Sequence, residues 1–130
     1  MPRQILNPAK IHQPTGYSHV AVATGSRLAF VAGQVALDAD YSLVGAGDLG
    51  AQTRKTMENL RVALDELGAG WDDVVKAVVY TTQPTEVRTI GAAMAEAIGG
   101  AAPPAQVVLG VTGLALPGLM IEIDLVVSLP

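Results

Sequence analysis

The spacing of hydrophobic and polar positions changes several times along the chain, and each change marks an element. Leu49, Thr53, Met57, Leu60, Leu64 and Leu67 recur at three- and four-residue steps, which is the spacing of one helical face. Asp48 stands where its side chain can cap the free amides, and Gly68 can end the helix in the left-handed conformation. Arg54 and Glu58 stand at an i,i+4 spacing that predicts an ion pair. A second stripe, Val87, Ile90, Met94 and Ile98, predicts a helix that starts near Pro84 and stops at Gly99-Gly100. Between the helices, Val74 to Thr81 is a continuous β-branched run that suits a central strand. Two short runs, Ser18 to Ala23 and Arg27 to Ala32, flank Thr24-Gly25-Ser26, a hairpin signal. Val107 to Val111 and Leu119 to Val127 predict two final strands. Residues 1–16, with Pro2, Pro8 and Pro14, read as an irregular arm, and Asp38 to Gly47 as a loop.

The predicted order is β-β-α-β-α-β-β. A hairpin followed by alternating elements points to an α+β sheet with both helices on one face. In the last strand Ile121, Ile123, Leu125 and Val127 would point one way, with Glu122, Asp124 and Val126 on the other. That second face has no predicted cover, and a partly apolar uncovered sheet invites self-association.

Composition sharpens this picture. The chain has 130 residues, enough for a single domain spanning 1–130 with a real core. Half the residues are hydrophobic but only 4% are aromatic, so the core must be aliphatic. A mean hydropathy of +0.39 is more aliphatic surface than so small a monomer readily hides, which places some of it in subunit contacts. A well-filled monomeric core is the alternative reading. The net charge of -4 argues against nucleic acid, since phosphate binding needs clustered Lys and Arg. There are no cysteines, which excludes disulfides, thiolate metal sites and cysteine nucleophiles. No long apolar stretch predicts a membrane span or signal peptide, and a cytoplasmic location follows by default. No internal repeat or low-complexity tract interrupts the chain.

Few residues carry candidate chemistry. Gly45-Ala46-Gly47-Asp48-Leu49-Gly50 matches G-x-G-x-x-G, yet Asp48 would occupy the helix N-terminus that a phosphate needs, and no convincing strand precedes it. The loop-and-cap reading is preferred. His12 and His19 are the only histidines, and with no acidic cluster nearby they predict no metal site. No serine with a matched base supports a hydrolase triad. Asp72 and Asp73, after Trp71, read as a solvated turn. Glu122 is the best candidate: an acid inside an apolar strand needs a partner or a task, because burying a carboxylate costs several kcal/mol. An acid at a sheet edge, wet or paired with a base, is the competing reading.

Seven segments, taken in order, resemble the Rid family of reactive intermediate deaminases, also called YjgF-like. They are Gly16-Tyr17-Ser18-His19, Ala32-Gly33-Gln34, Ala51-Gln52-Thr53-Arg54, Glu58-Asn59-Leu60, Asp72-Asp73-Val74-Val75-Lys76, Pro103-Pro104-Ala105-Gln106 and Ile121-Glu122-Ile123-Asp124-Leu125. The resemblance covers nearly the whole chain. It implies a chorismate-mutase-like fold, a homotrimer with sites between subunits, a small-molecule ligand and no cofactor. It implies that Glu122 orients a water for attack on an imine carbon and takes its proton. It places Tyr17, Gly33, Gln106 and the Val108 backbone at the ligand.

The chain departs from the deaminase branch at three positions. Gln106 stands where an arginine usually grips the carboxylate of an amino-acid-derived imine. Ala32 replaces a common serine or threonine, and Gly91 replaces a common asparagine. A cleft with these residues should be more apolar and less anion-seeking. Two readings follow: a hydrolase of a small imine, enamine or related compound, or a non-catalytic trimeric ligand-binding or regulatory protein on the same scaffold. A pericyclic enzyme of the chorismate-mutase type is a weaker third, since it would need several cations at the cleft.

Overall fold

A computed structural model describes residues 2–130. Its main sheet has four strands in the order β3-β6-β4-β5: β3 (Arg27–Gln34), β4 (Val74–Thr81), β5 (Ala105–Gly110) and β6 (Ile121–Leu129). The β6 strand lies antiparallel to both β3 and β4, and β4 runs parallel to β5. Two helices, α1 (Leu49–Glu66) and α2 (Val87–Ile98), complete the layer that covers one sheet face. This is the α+β class that the sequence pattern predicts.

The caps of α1 form as expected. Asp48 Oδ1 accepts the Ala51 amide at 3.0 Å. At the other end Gly68 has a φ of 67°. Its amide donates to Asp65 O and the next, Ala69, to Leu64 O, so the left-handed residue closes the last turn and satisfies two carbonyls. Glu58 pairs with Lys55 at 3.7 Å rather than with Arg54, and Arg61 pairs with Asp65 at 3.0 Å. In α2, Val87 is exposed while Ile90 is buried, so the buried stripe starts one turn later than the spacing predicts.

The alternation in β6 is borne out. Ile121, Ile123, Leu125 and Val127 are buried against the helices, and Glu122, Asp124 and Val126 are only half-buried. Met57, Leu60 and Leu64 of α1 meet them, with Ala77 and Val79 of β4, in an aliphatic core. Among the described residues no helix covers the opposite face. Phe30 is 75% exposed there, with Leu28, Val107 and Leu109 also open.

The first strands differ from expectation. Residues 20–23 do not pair with β3 across the Thr24-Gly25-Ser26 turn. They form β2 (Val20–Ala23), antiparallel to β1 (Arg3–Leu6), in a separate two-stranded ribbon. The proline-containing arm therefore begins with a strand. Arg3 explains its placement. Its guanidinium is buried and donates to Val74 O at 2.5 Å and to Ala102 O at 2.6 Å, with Asp72 3.5 Å away. Burial lowers its pKa from the ordinary value, while the charges of Asp72 and Asp73 oppose that shift. Asp73 accepts the Gly70 amide at 2.8 Å. The Asp72-Asp73 turn thus closes a short helical turn and anchors the N-terminus. A carbonyl pair more than seventy residues away decides where the arm lies, which short-range periodicity cannot reveal.

Candidate functional site

Glu122 lies on the uncovered face, opposite Tyr80 in the β4–β6 register. Tyr80 faces Leu109 on the other side. Its hydroxyl reaches along β6 and donates to Asp124 Oδ2 at 3.0 Å. That hydrogen bond, then desolvation and the charges of Asp124 and Glu122, raise the phenol pKa above its ordinary value. Glu122 itself accepts no hydrogen bond and forms no ion pair among the described residues. A half-buried carboxylate without a protein partner is served by water or by a group from outside the chain.

Gly33 makes room for it. The β3–β6 register shifts between Val31 and Gln34, and a Cβ placed at Gly33 would meet Glu122 Oε2 at 2.1 Å. Its lack of a side chain is thus what lets the Glu122 carboxylate lie over β3. Two buried or half-buried amides on α1 hold the flanking segments. Gln52 donates to Gly118 O at 2.9 Å and accepts the Met120 amide at 2.9 Å, just before β6. Asn59 donates to Val35 O and Leu37 O at 2.9 and 2.8 Å, just after β3. These positioning roles were missed from the sequence. Their signal was present as amides on the inward stripe of an amphipathic helix, where an apolar residue is the default.

The other candidates gather elsewhere. Gln106 pairs with Ala77 in the β4–β5 register and so shares the helix-facing side of the sheet, with β4 between it and Glu122. Its side chain has no hydrogen-bond partner among the described residues. The β5 strand is an edge. Val111 donates its amide across to Thr81 O, and amides alternate sides along a strand, so the Val108 amide faces the free edge. The segment before β2 docks at the start of that edge. The Ser18 amide donates to Pro104 O at 2.9 Å and its hydroxyl to Pro103 O at 2.6 Å. This brings Gly16 to the same pocket as Gln106 and Tyr17 next to it in the chain. The Tyr17 hydroxyl and His12 Nε2 form a hydrogen bond, and the His19 ring meets the Tyr17 ring edge-on at 5.5 Å. His19 Nε2 donates to His12 O at 2.6 Å. Both histidines therefore have partners that fix the arm around Tyr17. Among the described residues no group of three or more His, Asp or Glu could hold a metal ion.

The candidate residues thus fall into two groups on opposite faces of the sheet. Glu122 and Gly33 belong to the uncovered face of β6 and β3. Gln106, Tyr17 and the Val108 amide belong to the β5 edge and the helix side. Asp48 caps α1 as described, so the G-x-G-x-x-G segment has its helix N-terminus occupied by a carboxylate.

Comparison with known proteins gives the family of the chain. Residues 8–129 match the model of the family described as endoribonuclease L-PSP. A RutC family protein of Synechocystis is 31% identical over 131 residues, covering 100% of this chain and 99% of its own. A Yersinia pestis structure of the conserved Rid protein family, YyfB, superposes with a TM-score of 0.94 at 38% identity, covering 99% of this chain and 100% of that one. A Mycobacterium tuberculosis member of the YjgF/YER057c/UK114 family gives 0.66 at 29% identity, over 98% and 99%. No helix among the described residues is long and apolar enough to cross a membrane.

Proposed function

The chain belongs to the endoribonuclease L-PSP family, whose solved relatives carry the Rid and YjgF names, and we propose that it is a hydrolase of small imines or enamines working in the cytoplasm as a homotrimer. The carrying observation is the separation of Glu122 and Gln106 on opposite sheet faces. A single copy cannot bring them to one ligand. A second copy laid against the uncovered face can, with its β5 edge meeting the first copy's Glu122. The exposed Phe30, Leu28 and Leu109 on that face are the apolar surface such an assembly would bury.

In this reading Glu122 orients a water against the imine carbon. The water oxygen bonds to that carbon while the C=N π pair moves to nitrogen, and Glu122 takes one water proton and passes it to that nitrogen, giving a carbinolamine. The carboxylate then relays the hydroxyl proton to the nitrogen as C=O forms and the C–N bond breaks, leaving a carbonyl compound and an amine or ammonia. Positioning suffices because the reaction is intrinsically facile, and no cofactor is called for. Gln106, Tyr17 and the Val108 amide would hold the ligand. The net charge of -4 favours a small molecule over RNA as the partner.

The neutral Gln106 supports a second reading, a trimeric ligand-binding or regulatory protein without catalysis. Purified protein and a Glu122→Ala variant, assayed on freshly generated amino-acid and uncharged imines, separate the two. Turnover by the parent that the variant loses supports the hydrolase. Absence of turnover over the whole panel leaves the binding reading.

A further inference from the structure

A cavity lies behind Gln106, between α2 and the sheet, and has a volume of about 300 Å³. It exists because α2 packs along α1 rather than flat on the strands. Its inner wall is apolar: Met57, Trp71, Ile98 and Leu125 line it. Gln106 stands in the lining with no side-chain partner among the described residues, and Gly91 contributes no side chain from α2, where a Cβ would have nothing within 4 Å.

Well-packed interiors leave few voids larger than a water molecule. An apolar cavity of roughly 150 Å³ already admits a benzene-sized molecule and otherwise stays dry. A volume of about 300 Å³ reaches the lower end of ordinary ligand sites. The Gln106 side chain is a neutral amide, which offers both a donor and an acceptor.

We propose that this cavity takes the apolar body of the ligand, and that Gln106 at its wall selects an uncharged amide-like polar group over a carboxylate. The proposal rests on Gln106 being a ligand contact, as in the function proposed above. It narrows the substrate class to uncharged small molecules with an aliphatic or aromatic tail. The amide of Gln106 pairs with the ligand's neutral head, and Met57, Trp71, Ile98 and Leu125 take the tail out of water.

The test is calorimetric titration of the intact protein with primary carboxamides from propanamide to octanamide, beside the carboxylates of the same length. Binding should tighten about fourfold per added methylene until the cavity is full. Each carboxylate should bind at least tenfold more weakly than its carboxamide. Gly91→Leu fills the cavity while favouring the helix, and should flatten the chain-length dependence without lowering the unfolding temperature; Gly91→Ala should keep most of it. A flat series in the parent protein, or an unchanged slope in Gly91→Leu, overturns the proposal. Chain-length-dependent binding without imine turnover upholds the cavity and removes the hydrolase, whereas imine turnover with a flat series does the reverse.

Discussion

Gly33 and Glu122 exclude one another's larger alternatives: a Cβ at position 33 would lie 2.1 Å from Glu122 Oε2 and 2.8 Å from its carboxyl carbon. The glycine sits at the register shift in β3, and the carboxylate rests over it. Gly33→Ala should therefore displace the carboxylate without unfolding the chain, because the clashing atoms are the far end of a flexible side chain. Imine turnover should fall on the order of 100-fold, as a catalytic group moved by an ångström or more loses that much. Steady-state kinetics beside a thermal melt checks both halves; full activity in Gly33→Ala would detach Glu122 from the chemistry.

Arg3 is the clamp that holds the N-terminal ribbon to the main sheet. Its side chain is only 2% exposed, and it satisfies the carbonyls of Val74 and Ala102. Arg3→Ala should cost about 2–4 kcal/mol, since both acceptors lose a charged donor in a buried setting. Urea unfolding measures it. A loss below that of an ordinary surface substitution would show that the ribbon docks without it.

Tyr80 should ionise above the usual phenol range, because its hydroxyl donates to Asp124 beside the charge of Glu122. In that window the folded chain retains a proton that the unfolded chain releases. Stability should therefore fall as pH climbs from the ordinary phenol value through the raised one. Ultraviolet titration of the phenolate band in the parent and in Asp124→Asn tests this. The variant should return Tyr80 toward its ordinary value.

Gln106→Arg should raise activity on carboxylated imines about tenfold, since charge-assisted bonding exceeds neutral bonding by roughly 1 kcal/mol or more. The same change should weaken uncharged ligands, whose tails would share the cavity with a guanidinium. Competition between the two imine classes reads out the switch. No gain on the charged class would mean that this position does not meet the ligand's head group.

Phe30→Asp should dissociate the proposed trimer. Phe30 is among the most exposed large apolar side chains on the uncovered face, and a desolvated carboxylate there would oppose association. Light scattering or native mass measurement decides, and an unchanged mass would move the interface to another surface.

The helices and β6 were legible in the sequence because their signals are local. Asp48 and Gly68 bracket α1, and strict alternation from Ile121 to Val127 separates the two faces of β6. Glu122 stood out for the same reason. Strand partnership was less legible. Residues 20–23 pair with 3–6 rather than across the nearest turn, and what decides it is Arg3 reaching Val74 and Ala102. The roles of Gln52 and Asn59 also depend on distant carbonyls. The cavity behind Gln106 was hidden because no sequence pattern records how far a helix stands off a sheet.

The two-faced placement of Glu122 and Gln106 has a genetic consequence in the proposed assembly. Each pocket borrows one residue from each of two neighbours, so defects at the two positions are complementable. Co-assembling inactive Glu122→Ala and inactive Gln106-substituted chains in equal amounts should leave about a quarter of the pockets with both residues intact. Two silent alleles expressed together would then restore measurable activity that neither supports alone.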